Sequence, residues 1–561
     1  MKHYLLKDCL LKNWGLLLLC LGVLTISGLV AVDAAQAAVL NVPGDYAQIN
    51  AAVQACAAGD TVLVAAGTWN DCVHPTEGAG TTPACVIMKS GVTLRGAGPD
   101  QTIIDAQGLG RGVFIELVDN CRVENLQITG AFAEIFGAGI LARQVDATVE
   151  VTDVRVTNCT DGGVILINNS SPTLRRVTMD NNAAKQGGGL AIEESSSPRI
   201  VNCVVDQNQA PSGAGVFIRN NCAPVFSGTI VSNNTTTASN TNGGGVSVQS
   251  STPTFTNCQI LNNTANGFGG GVAFSDDAGG LMEDCLVQGN DNFNSNGQGG
   301  GVFTSLSDPT LRRVVIAENT ASGFFGEGGG LFISFNPAPL VENCTIAANA
   351  CGTNGVAGGV WVEWFATPTI DKCIISGSTA GQGISCSSAT PVVSCSNIYG
   401  NADGDALCGT DGGGNFAADP LFCGTAGYEY NLTAASLCAP GNHPGGLCGG
   451  ALIGALAAGC GESAVPLPDA AGLVLGNHPN PFNPRTTIFW DLPAAGPAHL
   501  RIFDLAGRLV QERTWSELPQ GRGQFLWNGR DSLGRELSSG VYLYRLDAGS
   551  LSLSRRMSLI R

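Results

Sequence analysis

From residue 113 to about residue 390 the chain repeats one hydrophobic pattern. Four phrases show it: "GGGLAIEESSSPRIVNCVVDQNQA" at 187–210, "GGGVSVQSSTPTFTNCQILNNTA" at 243–265, "GGGVFTSLSDPTLRRVVIAENTA" at 299–321 and "GGGLFISFNPAPLVENCTIAANA" at 328–350. Aligned on the residue after the glycines, the units start at Val113, Ile140, Val164, Leu190, Val216, Val246, Val272, Val302, Leu331, Val360 and Ile384. Position one is always Val, Leu or Ile. Position three is mostly apolar (Ile115, Ile192, Ile218, Val248, Phe274, Ile333, Val362), while positions two and four vary. This period of two predicts a strand with positions one and three inward. A second short run follows a Ser/Pro break, as in "PTLRR", and a third follows as in "CTIAAN". Three strands per repeat, too short for helices, predict an all-β parallel β-helix of about 11 coils. Each coil then pairs with the next at ~4.8 Å.

Such a solenoid has two open ends to cover. At the start, "DYAQINAAVQACAAGD" predicts a capping helix with Asp45 as N-cap, Gly59 as its stop, and Ile49, Ala52, Val53 and Cys56 on one face. At the far end, about residues 415–460 lack the repeat and hold most of the cysteines that follow the coils, so a disulfide-bonded cap is expected there. Another disulfide is expected around Cys72 and Cys85. Within the coils, Cys203, Cys258, Cys285, Cys344, Cys373 and Cys395 share a column with Leu126, Val154, Val177, Gly228 and Val314. Residues that trade with Val and Gly are read as small buried side chains, with adjacent-coil disulfides as the rival. Asn202, Asn257 and Asn343, one residue before, are expected at a corner, where amides can stack as a ladder.

Composition fits an exported repeat protein. Gly is 77 of 561 residues, aromatics are 6% and charged residues 13%. Lys2, Lys7 and Lys12 precede the apolar run "WGLLLLCLGVLTISGLVAV" and the small-residue site Ala35-Gln36-Ala37. Residues 1–37 therefore read as a signal peptide, with an uncleaved anchor as the alternative. No stable membrane span is expected after cleavage, and the location is secreted or at the outer cell surface. Removing Cys9 and Cys20 leaves 19 of 21 cysteines, an odd number, so at least one stays free or pairs between chains. Residues 39–460 carry 34 acids and 14 bases, whereas residues 461–561 carry 9 acids and 11 bases, all Arg. The acidic part argues against nucleic acid as a partner and mildly disfavours polyuronates unless a cation bridges.

From Ala464 the pattern changes to alternating strands with turns every 8–12 residues, which predicts a small antiparallel sandwich. Asn480-Pro481-Phe482-Asn483-Pro484, "DLAGR", "WNGRD" and "SGVYLYRL" in this segment resemble two families. One is the Ig-like tail domain of flagellar hook-capping proteins. The other is the C-terminal sorting domain of type IX secretion cargo. The resemblance implies export or surface attachment through that machinery. The opening "VPGDYAQINAAVQACAAGDTVLVAAGTW" with "GVTLRGAGPDQTIIDAQG" resembles pectin-lyase-like right-handed β-helix proteins over residues 39 to about 425. That implies the right-handed fold, and it leaves activity open because the fold carries lyases, hydrolases, epimerases and non-enzymes. The glycine phrasing is also similar to repeats of polymorphic outer-membrane adhesins. The expected organisation is a signal peptide (1–37), a capped β-helix (38–460), a linker (461–475) and an Ig-like sorting or attachment domain (476–561).

Candidate chemistry on the coils is sparse. All five histidines lie outside the repeats, at His3, His74, His443, His478 and His499, so no imidazole base is available there. Of the motifs a polygalacturonase would need, only an aspartate pair, Asp276-Asp277, is present. Asp276, Asp277, Glu283 and Asp284 are weak calcium candidates, with Arg312 and Arg313 as the nearest bases for a pectate-lyase-type elimination. "LRR" recurs at Arg175-Arg176, which reads as a repeated strand face, and Glu193-Glu194 reads as a solvated edge. Position two places Phe303, Phe332 and Trp361 on consecutive coils, with Phe217 earlier in the column and Arg219 and Glu363 at position four. These six are the expected ligand-binding residues, with Phe303, Phe332 and Trp361 as an exposed aromatic platform for polysaccharide or another surface and Arg219 and Glu363 as polar contacts at its edge; a ladder covered by a long loop or by the tail domain is the alternative. The reading is a non-catalytic binding or structural protein with no cofactor and calcium left open; a calcium-dependent polysaccharide lyase or a hydrolase is the runner-up.

Overall fold

The computed structural model describes residues 37–460 and 474–559, apart from residues 73, 76–81, 134–136, 336, 425–429, 447, 479–483, 493–494, 505–507, 533, 539 and 549–550. The expected signal peptide and nearly all of the expected linker lie outside the described residues. One long sheet has thirteen strands, the first paired antiparallel and the other twelve stacked in parallel. All eleven coil starts fall in one register, Val113 facing Ile140, then Val164, Leu190, and so on to Val360 and Ile384. Val86 adds one coil before them. The second and third strands of each coil, such as Arg199–Val201 and Val204–Asp206, stack likewise. Residues at positions one and three are buried in a continuous core.

Each coil turns through residues in the left-handed region. Asn202, Asn257 and Asn343 take that conformation between the second and third strands. Asn is among the few side chains that tolerate it. The amide ladder is built elsewhere. Asn182, Asn208, Asn234, Asn263, Asn290, Asn319 and Asn349 are buried one per coil, and the Nδ2 of each of the first six donates to the Oδ1 of the next at 2.9–3.0 Å. The same Oδ1 accepts the backbone N–H of the preceding coil's Asn, and each Nδ2 also donates to a strand carbonyl. This ladder accounts for the third glycine of each triplet. A Cβ on Gly301 would stand 2.9 Å from Asn319 Nδ2 and 2.7 Å from Gly330 O.

The cysteine column is buried and reduced at Cys203, Cys258, Cys285, Cys344 and Cys373. Its register corrects two members. Thr229 and Ser396 occupy the column, where their hydroxyls accept the N–H of Cys203 and Cys373, while Gly228 and Cys395 sit one residue earlier in the left-handed turn. Disulfides join Cys72–Cys85, Cys386–Cys408, Cys395–Cys448 and Cys423–Cys460, leaving Cys438 free among the late cysteines.

The helix spans only Ile49–Ala55. Its predicted face, Ile49, Ala52 and Val53 with Cys56 beyond, is buried. Asp45 does not cap it: its carboxylate accepts from the N–H and amide of Asn41, and Gln48 holds the N-cap position without a side-chain bond. The far segment also differs from a simple end cap. Residues 430–438 and 453–456 lie against the outside of the third strands. Ala455 N donates to Thr345 Oγ1, Gly454 N to Lys372 O, and Tyr430 OH to Glu318. Ile453, Leu432 and Cys438 thereby bury the outward side of Ile374, and Ala455 and Leu456 bury Val315 and Ala317.

Residues 474–559 form two antiparallel sheets, of three and four strands. They share a separate buried core that includes Trp490, Leu500, Ile502, Trp527, Tyr544 and Leu546. The NPFNP motif lies almost wholly outside the described residues.

Candidate binding surface

The structure brings Phe303, Phe332 and Trp361 together but does not expose them. Phe303 is 5% and Phe332 1% exposed, and Phe217 is fully buried. Phe268 lies against Phe303 at 5.0 Å between ring centroids, Phe303 against Phe332 at 5.6 Å, and Trp361 packs partly buried on the same cluster. The expected open platform is therefore a covered ladder. The cause lies in the glycine turns. Gly299 and Gly328 fold back in the left-handed region, so close to the strand that an added Cβ would stand 3.1 Å from Phe303 Cα and 3.0 Å from Phe332 Cβ. Outward parity on a strand does not decide exposure when the preceding turn lies over it.

The polar members of the set are also engaged. Arg219 pairs with Glu193 at 2.7 Å and lies over the Phe217 ring. Glu193 is thus buried in a pair rather than solvated, while Glu194 is exposed. Glu363 Oε2 accepts from Trp361 Nε1 at 3.1 Å. Burial raises the Glu363 pKa, and the neighbouring indoles of Trp361 and Trp364 oppose that rise.

The four acidic candidates do not converge. Asp276 and Asp277 stand at the corner after the long sheet, whereas Glu283 ends the second strand and Asp284 forms the next corner. Arg313 holds Asp284 through two hydrogen bonds, at 2.7 and 2.9 Å, and reaches Glu283 at 2.9 Å. Arg312 pairs with Glu342 on the next coil. Arg155–Asp180 and Arg176–Asp153 repeat the device, each with two bonds. Among the described residues, no group of three or more His, Cys, Asp or Glu side chains is placed to hold a metal ion.

One run of exposed apolar side chains lies just beyond position four. Leu306, Phe335, Trp364 and Phe365 follow position four on three consecutive coils and are 54%, 48%, 50% and 69% exposed. Phe335 and Trp364 are parallel within 1°, with centroids 5.7 Å apart. The signal was present in the sequence: this column reads Asn168, Glu194, Asn220, Ser250 and Asp276 before it turns apolar.

Residues 91–244 and 235–354 match the family model described as the right handed beta helix region. These coils form a right-handed parallel β-helix, the fold that the pectin-lyase-like resemblance implied. No curated protein matches the chain. Among solved structures, it is similar to the A-module of the mannuronan C-5 epimerase AlgE4 of Azotobacter vinelandii, at 16% identity over 67% of this chain and 96% of that one, with a TM-score of 0.38. It is also similar to a mutant of the PL6-family alginate lyase AlyGC, at 14% identity over 71% and 55%, with a TM-score of 0.43. A shorter match is to PorZ, a surface component of the type-IX secretion system of Porphyromonas gingivalis, at 29% identity over 16% of this chain, with a TM-score of 0.13. The match spans 11% of PorZ. No helix among the described residues is long and apolar enough to cross a membrane.

Proposed function

We propose that this protein is an exported binding scaffold, directed to polysaccharide or another surface, that carries out no reaction on its coils. The observation that carries this reading is the pairing of charge along the solenoid. Arg155, Arg176, Arg219, Arg312 and Arg313 are each spent on carboxylates of a neighbouring coil. A pectate-lyase-type elimination needs a base free to take a proton from substrate, and Arg312 and Arg313, the bases nearest the acidic candidates, are committed to carboxylates. The four disulfides support an oxidising, extracellular setting. In this reading residues 476–561 supply export or attachment, as their resemblance to sorting domains implies. A glycan array probed with the full chain tests it: saturable binding to at least one glycan class supports the scaffold, and no binding to any glycan overturns the polysaccharide reading.

A further inference from the structure

Every coil from Val113 onward leaves the long sheet through a left-handed residue. Along the stack these residues are Asn168 and Asn169, Glu194 and Ser195, Asn220 and Asn221, Ser250, Asp276 and Asp277, then Leu306, Phe335, Trp364 and Phe365, then Ser388. Asn and Asp adopt this conformation with little strain, whereas a bulky side chain there is an outlier. On three consecutive coils the turn thus carries side chains poorly suited to it. Burial does not return the cost, because all four project into solvent. Strain kept at exposed apolar positions points to a role outside the fold. Leu117 holds the same turn position and is exposed, but Gln144 follows it on the next coil, so it stands alone.

The rings are also held in place. The Glu363 carboxylate, one residue before Trp364, is fixed by the Trp361 indole. Phe335 lies parallel to Trp364 at a spacing typical of offset stacking, which leaves part of each face open.

We propose that Leu306, Phe335, Trp364 and Phe365 form a binding site for an uncharged glycan chain lying along the solenoid axis. The proposal rests on the scaffold reading above and names its site and ligand class. The side chains recur at the coil step of ~4.8 Å, close to the length of one pyranose unit, so successive sugars can meet successive coils. Charge selects the class. There is no Lys or Arg between Arg219 and Arg312. Arg312, Arg313 and Lys372 are paired with carboxylates. Asp276 and Asp277 stand exposed beside the stripe, with Asp277 N bonded to Leu306 O. Those carboxylates accept hydrogen bonds from sugar hydroxyls and repel a polyuronate. The exposed Ser387 and Ser388 give the other end a polar rim, which suits a ligand with hydroxyl edges and apolar faces better than a wholly apolar protein patch.

Affinity electrophoresis of the full chain tests this, in gels containing mannan, dextran or hydroxyethyl cellulose, with alginate as the acidic comparison. The variant is the double substitution Phe335→Asn with Trp364→Asn, which installs the residue that other coils use. The expected result is retardation of the natural protein by at least one neutral polymer. The variant should lose more than tenfold in apparent affinity, and its unfolding midpoint should rise as the strain is relieved. Equal retardation of both proteins overturns the site and leaves the scaffold reading standing. Retardation by alginate alone overturns the ligand class. A lowered unfolding midpoint in the variant overturns the proposal by making the rings structural. No retardation of the natural protein by any polymer overturns the proposal together with the reading it rests on.

Discussion

Asn263 Nδ2 donates to Asn290 Oδ1 at 2.9 Å, and that same oxygen accepts the Asn263 backbone N–H at 2.9 Å. One buried amide therefore satisfies two donors of the coil before it. Asn263→Ala removes the acceptor for Asn234 N and Nδ2, and the donor for Val231 O. Each buried group left without a partner costs about 1–3 kcal/mol, so the denaturation midpoint should fall markedly. The adjacent Asn262 is exposed and left-handed, and Gly289 holds its place on the next coil. Asn262→Gly should therefore change stability by less than ~1 kcal/mol. Denaturant titration of the two variants checks the contrast.

Phe332 is a core residue of the outer sheet face. Phe332→Ala should cost on the order of 3 kcal/mol, and because the ring is covered it should leave glycan retardation unchanged. Thermal unfolding and affinity electrophoresis of the same variant separate the two effects.

Eleven cysteines among the described residues are free and buried. Burial pushes Cys121, Cys159 and Cys203 up to about 12. A thiol whose pKa is raised by folding holds its proton in the native state, while the unfolded chain loses it near the ordinary value of 9.0. Stability from this source is complete below pH 9 and is lost as pH rises from there toward about 12. Unfolding free energy should therefore decline across that window, and Cys203→Val should flatten the decline. At pH 8 the native protein lacking residues 1–37 should react negligibly with a thiol reagent and should titrate eleven thiols once denatured.

Removing residues 476–561 should leave the solenoid folded, because Trp490, Trp527, Tyr544 and their neighbours form a core of their own. If that segment directs export or attachment, fractionation of producing cells should find the truncated chain in a different compartment. The same amount in the same place would contradict that role.

The coil starts were legible because position one is apolar in every unit and glycines precede most of the strands, so alignment fixed the register from Val113 to Ile384. The ladder was less legible because each coil offers two kinds of Asn. Asn262 and Asn263 are adjacent in sequence, and only the turn geometry makes the first a corner and the second a rung. The exposure of Phe303 and Phe332 was misjudged because side-chain parity says nothing of a glycine turn folded over it. The stripe at Leu306, Phe335 and Trp364 was missed because it begins where the alternating pattern stops. The strap at 430–456 has no repeat, and its contacts with Thr345 and Lys372 join positions far apart in the chain.

The proposed role of the coils is to bind polysaccharide without cutting it. Light scattering coupled to size exclusion tests it most directly, on neutral glycans, alginate and polygalacturonate incubated with the full chain, with and without added calcium. The account predicts co-elution of protein with at least one neutral polymer and an unchanged molar mass for every polymer over a long incubation. A falling molar mass, above all one that requires calcium, would contradict it and establish a depolymerising enzyme.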